Sequence, residues 1–212
     1  DADAAAAVLL QGMTAHYLCF DTFQIRPGSR CLIHAGAGGV GLLLIQLCKM
    51  LGAEVFTTVS TDEKAALARG AGADHVILYT KTDFEEEAKK ILGNHKLDVV
   101  YDSVAATTFE KGLNLLKPLG LMALFGNSSG PVPPYQLNGL NPKGSLYVTR
   151  PSLGFYTQSR EDLVQRAGHV LELVRLGKLD VRIGHTYSLT DAKQSHDDLE
   201  GRKTTGKLLL VP

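Results

Sequence analysis

The chain has 212 residues, of which 44% are apolar and 21% charged, and its 22 Lys and Arg balance 22 Asp and Glu. Such a chain can bury one ordinary core, and it has neither the net basic field of a nucleic-acid binder nor the charge that holds a protein on a membrane surface. Its apolar runs break well short of the ~20 residues that cross a bilayer, and its opening, with Asp1 and Asp3 and no basic stretch, does not read as a secretory signal. The three cysteines, Cys19, Cys31 and Cys48, are scattered and odd in number. That pattern predicts free thiols, packed in the core and kept reduced in a cytoplasmic protein.

Residues 1–20, rich in alanine and leucine, predict a helix. A chain that opens at an aspartate inside a helix reads as part of a longer protein. Arg26-Pro27-Gly28-Ser29 is a turn that leads into a strand over 30–34. The glycine cluster Ala35-Gly36-Ala37-Gly38-Gly39-Val40-Gly41 follows, then an apolar helix over 40–51, a stop at Gly52 and a second strand over 55–59. Strand, glycine turn, helix and strand make a βαβ unit that can cradle a pyrophosphate. Glycines allow close backbone approach, and the helix N-terminus offers unpaired N–H groups and partial positive charge. Counted from Ala35 the spacing is Ala35-x-x-Gly38-x-x-Gly41, with a further glycine at Gly39.

Thr61 is a predicted N-cap for a helix over 62–69, with Asp62 and Glu63 in its first turn. Strands are predicted over 75–79, 97–101, 121–125 and 145–149, with helices over 83–92, 105–116 and 160–176. Residues 131–142 read as a loop. Six strands alternating with helices predict a Rossmann fold: a doubly wound parallel sheet with helices on both faces. Ligands then sit beyond the C-terminal strand ends, which here are Gly38–Gly41, Ser60–Lys64, Tyr79, Asp102–Val104 and Phe125–Ser128. Residues 179–212 offer a strand (185–188), a helix (189–199) and a last strand (207–211). They are too few to bury a core of their own. The expected division is a cofactor domain over 1–178 and, over 179–212, a segment that belongs to a second, incomplete domain.

The second strand ends in Val59-Ser60-Thr61, with Lys64 one helical turn on. An NAD binder carries an acid near this point for the ribose 2′-OH. A hydroxyl and a cation suit a 2′-phosphate instead, so NADPH is expected over NADH. Asp62 and Glu63 are read as helix first-turn acids.

The stretches LLQGMTAHYL (9–18), HAGAGGVGLLLIQ (34–46), VVYDSV (99–104), FGNSSG (125–130) and GSLYVTRPSLGFY (144–156) carry a resemblance. The chain resembles the zinc-independent quinone oxidoreductases of the medium-chain dehydrogenase/reductase superfamily, in their bacterial branch. The resemblance implies that residues 179–212 return to a GroES-like catalytic domain that precedes the cofactor domain. It also implies NADPH-dependent reduction of quinones, with an enoyl-thioester or enone reductase as the alternative enzyme and a non-catalytic NADPH-binding module as the alternative outside enzymology. By resemblance Tyr17 lies beside the cofactor, and Gly39 and Val40 cradle the pyrophosphate. Ser60 and Lys64 meet the 2′-phosphate, with Tyr79 near the adenosine. Val104, Phe125, Gly126, Asn127 and Ser128 line the cofactor's path. Pro151, Ser152 and Leu153 flank the nicotinamide, and Arg202 reaches back from the C-terminal segment. The resemblance further implies a homodimer that pairs through the sheet edge at Leu146–Thr149.

Zinc-dependent relatives carry a cysteine ligand where this chain has Gln11, no ligand for zinc. The seven histidines show no paired metal-binding spacing, and Ser103 lies outside a G-x-S-x-G elbow. The reading names no metal site and no catalytic residue, because a quinone can take its protons from water. A quinone or enone is the expected small-molecule partner, and a piece lacking one wall of the cleft is expected to turn substrate over poorly.

Overall fold

The computed structural model describes residues 2–201 and 203–212. The chain begins with helix α1 (Ala2–Tyr17), which runs on into a π-helical turn, Leu18–Thr22. Strands and helices then alternate: β1 (Arg30–His34), α2 (Gly39–Met50), β2 (Glu54–Val59), α3 (Asp62–Gly70), β3 (His75–Leu78), α4 (Phe84–Leu92), β4 (Leu97–Asp102), α5 (Phe109–Leu115), β5 (Leu116–Leu124) and β6 (Tyr147–Thr149). The six strands pair in parallel in the order β3-β2-β1-β4-β5-β6. The strand order reverses between β1 and β4, which opens a crevice at their C-terminal ends.

Burial explains why these strands read as unbroken apolar runs. Cys31, Leu32, Ile33, Val55, Phe56, Val99, Val100 and Tyr101 are all at most 1% exposed, as expected for strands covered on both faces. One face (Cys31, Ile33, Val55, Val99, Tyr101) packs on a cluster with Val8, Leu44, Leu47 and Val170. The other (Leu32, Phe56, Val100, Met122) packs with Phe84, Phe109 and Leu113. Each fully buried Leu or Phe contributes on the order of 1.5–3 kcal/mol. The thiols lie within this core. A hydrogen bond from Cys48 pushes the Cys31 thiol pKa up, and burial does the same to Cys48.

Local chemistry starts and stops the helices. Thr61 Oγ1 accepts from the Lys64 amide at 3.2 Å, as its N-cap position predicts, and Asp83 caps α4 through the Glu85 and Glu86 amides. Gly52, at φ +83°, ends α2.

Several predicted elements have different bounds. The first helix does not run uniformly to residue 20. The hydroxyl of buried Tyr101 donates to Leu18 O at 3.1 Å, and the Phe23 amide donates to the same oxygen; a π turn leaves that carbonyl outside the regular α ladder. The helix expected over 105–116 is confined to α5, because Asp102 Oδ1 holds the amides of Val104 and Ala105 (2.7 and 3.0 Å) in a turn in which Ala105 takes φ +76°. The strand expected from 121 begins at Leu116 and carries a register shift against β4. A short helix, α6 (Leu153–Tyr156), and a 3-10 turn, Leu137–Leu140, fall where no element is predicted.

After α7 (Arg160–Arg175), strand β7 (Ile183–Ser188), helix α8 (Ala192–Glu200) and strand β8 (Lys207–Val211) complete the chain. β7 and β8 form a separate two-stranded parallel sheet. It is tied to the glycine turn, where the Gly206 amide donates to Ala37 O at 3.1 Å and Gly206 bridges Gly38.

Candidate functional site

A cavity of about 510 Å³ opens at the C-terminal ends of the central strands. The glycine turn forms its mouth. Ala35 takes the left-handed conformation (φ +57°), and its carbonyl receives the Gly38 amide at 3.0 Å. Gly36, Gly38 and Gly41 stand at the spacing G-x-G-x-x-G, so Ala35 precedes that motif, and its left-handed backbone costs about 1 kcal/mol. Helix α2 begins immediately, with Leu42 donating to Gly38 O at 3.0 Å. The first-turn amides before Leu42 have no acceptor inside the helix and carry the positive end of its dipole. Gly41 sits where a Cβ would overlap the Ala35 carbonyl and stand 2.8 Å from Gly36 Cα. A Cβ at Gly39 would overlap the Gln11 side chain. Gln11 thus packs against the turn and lines the cavity.

The loops after β2 and β3 are laced together on one wall. Tyr79 N donates to Val59 O at 3.2 Å, and Thr80 Oγ1 donates to Ser60 O at 2.7 Å. Ser60, Lys64 and Tyr79 all line this wall. Asp62 turns to Lys81, 2.7 Å away, and so opposes a cation outside the cavity lining.

The opposite wall comes from the loops after β4 and β5. Ser128 N donates to Ser103 O at 3.0 Å, and Ser129 Oγ donates to Val104 O at 2.8 Å. A Cβ at Gly126 would stand 2.7 Å from Ser103 O, which is why a glycine lies there. Asp102 anchors the loop below: besides the two amides, its Oδ2 accepts from Thr108 Oγ1 at 2.8 Å.

Of the sequence-predicted residues, Gly38, Gly39, Ser60, Lys64, Tyr79, Val104 and Ser128 meet around this one cavity. A second set lies elsewhere. Tyr17 belongs to the apolar core cluster, and Val40, Phe125 and Leu153 pack against that cluster. Tyr17 is 2% exposed and stacks on Tyr156 with centroids 4.2 Å apart; burial pushes its pKa up to about 12. Gly41 and Pro151 are buried, Gly126 is half-buried, and Asn127 and Ser152 are exposed, none of them lining the cavity. Arg202 lies outside the described residues.

The structure also brings in residues that sequence reasoning missed: His34, Thr58, Phe84, Thr107, Thr108 and Lys111, with Leu199, Thr204 and Gly206 from the C-terminal segment. The position of His34 at the end of β1, just before the glycine turn, is the one sequence signal that could have found it.

Among the described residues, no three His, Cys, Asp or Glu side chains are grouped to hold a metal ion, and no helix is long and apolar enough to cross a membrane.

The sequence of the zinc-binding dehydrogenase family matches residues 39–168. Quinone oxidoreductase 1 of Escherichia coli is 47% identical over 210 residues, covering 98% of this chain and 64% of that protein. The 2-haloacrylate reductase of a Burkholderia species is 39% identical over 208 residues, covering 98% of this chain and 62% of that protein. A mycobacterial protein solved in complex with NADPH superposes with a TM-score of 0.96 at 44% identity, covering 100% of this chain and 65% of that one. The chain therefore spans just under two thirds of the length of the relatives it matches.

Proposed function

Since the chain belongs to the zinc-binding dehydrogenase family, on the quinone oxidoreductase branch of the medium-chain dehydrogenase/reductase superfamily, we propose that it is the NADPH-holding part of an enzyme that reduces quinones without a metal. One observation carries the reading: Ser60, Lys64 and Tyr79 share a wall of the cavity whose mouth is the Gly38–Gly39 turn. A diphosphate fits that turn because the first-turn amides of α2 open on the cavity there, beside the Gln11 side chain. Lys64 supplies the charge for a 2′-phosphate, Ser60 a hydroxyl and Tyr79 a flat partner for the adenosine. Val104 and Ser128 bound the opposite side. Bound NADPH would supply a hydride. The work of the protein is to hold the dinucleotide extended from Lys64 toward the apolar cluster of Tyr17, Phe125 and Leu153, with Pro151 and Ser152 beside it. The exclusion of water there favours transfer to a carbonyl acceptor.

The same reading divides the chain at about residue 178 and assigns 179–212 to a GroES-like catalytic domain. It has a cytoplasmic homodimer pairing through β6. The similarity to a 2-haloacrylate reductase favours a second reading, an enone reductase using the same cofactor.

Calorimetric titration with NADPH and NADH tests the first step, and preferential binding of NADPH is expected. Turnover of 1,2-naphthoquinone against a 2-enoyl-CoA, with NADPH oxidation followed at 340 nm, separates the two substrates. NADPH binding with no turnover of either would support a binding module instead. A chain that binds neither nicotinamide would sink the proposal.

A further inference from the structure

His34 lines the cavity and is 1% exposed. Its Nδ1 lies 2.9 Å from Thr58 Oγ1. Its Nε2 is buried with no hydrogen-bond partner among the described residues. The groups around the ring are already committed. Phe84 meets it edge to face, centroids 4.8 Å apart, and offers no hydrogen bond. Asp102 spends one oxygen on two amides and the other on Thr108. Lys111 is paired with Asp83. A buried, unsatisfied ring nitrogen in a cavity wall is costly to maintain and marks a place for an incoming polar group.

The chemistry of that group can be specified. Burial pushes the pKa of His34 down, with Asp102 opposing, so the ring is neutral and carries one proton. With that proton on Nδ1, donated to the Thr58 hydroxyl oxygen, Nε2 is a bare acceptor. The ring shares its cavity with Val104, Phe84 and Thr108, a largely apolar setting that suits a purine, and with Ser60 and Lys64.

We propose that His34 Nε2 accepts a hydrogen bond from the exocyclic amino group of the adenine, so that His34 selects the base of the cofactor. This rests on the NADPH reading above. Replacing the amino group by a carbonyl oxygen would set a second acceptor against Nε2, and the site would reject it.

The probe is the hypoxanthine analogue of NADPH, which carries a carbonyl oxygen in place of that amino group and a proton on N1, and keeps the 2′-phosphate. Calorimetry on the unsubstituted chain is expected to find the analogue bound roughly ten- to a hundredfold more weakly than NADPH. His34→Leu is expected to abolish the difference by weakening NADPH alone. The ¹⁵N resonance of Nε2 in the unsubstituted chain is expected to shift with NADPH and not with the analogue, which assigns the effect to His34 without any variant. Tight but equal binding of the two, or a preference that survives His34→Leu, overturns the proposal and leaves the NADPH reading standing. No binding of either overturns both.

Discussion

His16 Nε2 lies 2.9 Å from His169 Nδ1, and the pair joins α1 to α7. Arg166 reaches the other nitrogen of His16 at 3.4 Å and also pairs with Asp21. A proton added to the His16 ring would be buried and would face the Arg166 guanidinium. Burial, then His169 and Arg166, lower the pKa of His16 from 6.5 to about 4.

The sign of the pH effect follows. Between pH 6.5 and about 4 the unfolded chain binds a proton at His16 that the folded chain refuses. Stability is therefore fully present above pH 6.5 and is lost as pH falls toward 4, by on the order of 2 kcal/mol. Thermal unfolding measured across this window should show the decline, and His16→Gln should flatten it. A decline of equal size in His16→Gln would assign the effect to other groups.

Lys64 tests the cofactor preference. Lys64→Glu sets a carboxylate on the wall shared with Ser60 and Tyr79. The affinity for NADPH should fall at least tenfold while that for NADH changes little. Parallel losses for both cofactors in a binding titration would place the 2′-phosphate elsewhere.

The glycine turn predicts opposite responses at two of its positions. Gly41→Ala drives a methyl group into the Ala35 carbonyl and should cost about 1–3 kcal/mol. Ala35→Gly relieves a left-handed alanine at φ +57° but loosens the unfolded chain, and should range from neutral to about 1 kcal/mol stabilising. Denaturant midpoints measure both, and a destabilising Ala35→Gly would contradict the strain assigned to that residue.

β6 is one of the two sheet edges, and its Tyr147 and Val148 side chains are exposed. An unpaired apolar edge tends to find a partner strand. Val148→Lys should turn the proposed dimer into a monomer in light scattering, with the fold retained by circular dichroism. A dimer unaffected by this change would have its contact elsewhere.

Much of this was legible in the sequence for a physical reason. Strands buried on both faces leave continuous apolar runs, and a cap such as Thr61 or a stop such as Gly52 acts within a few residues. The π turn at Leu18 was illegible because its cause, the Tyr101 hydroxyl, lies about eighty residues away in the chain. The turn at Ala105 hides for a related reason: an aspartate side chain gives no periodic signal. Likewise Thr108 and Lys111, at the start of α5, join His34, at the end of β1, in the cavity only because the fold brings the two elements together, and neither spacing nor residue type announces that.

The backbone link between Gly206 and Ala37 makes the segment that leads into β8 a fastener for the glycine turn. Peeling β8 away would loosen the glycine turn from behind, even with every residue of the turn intact. A substitution that disrupts β8 is in this sense an intervention at the cavity mouth.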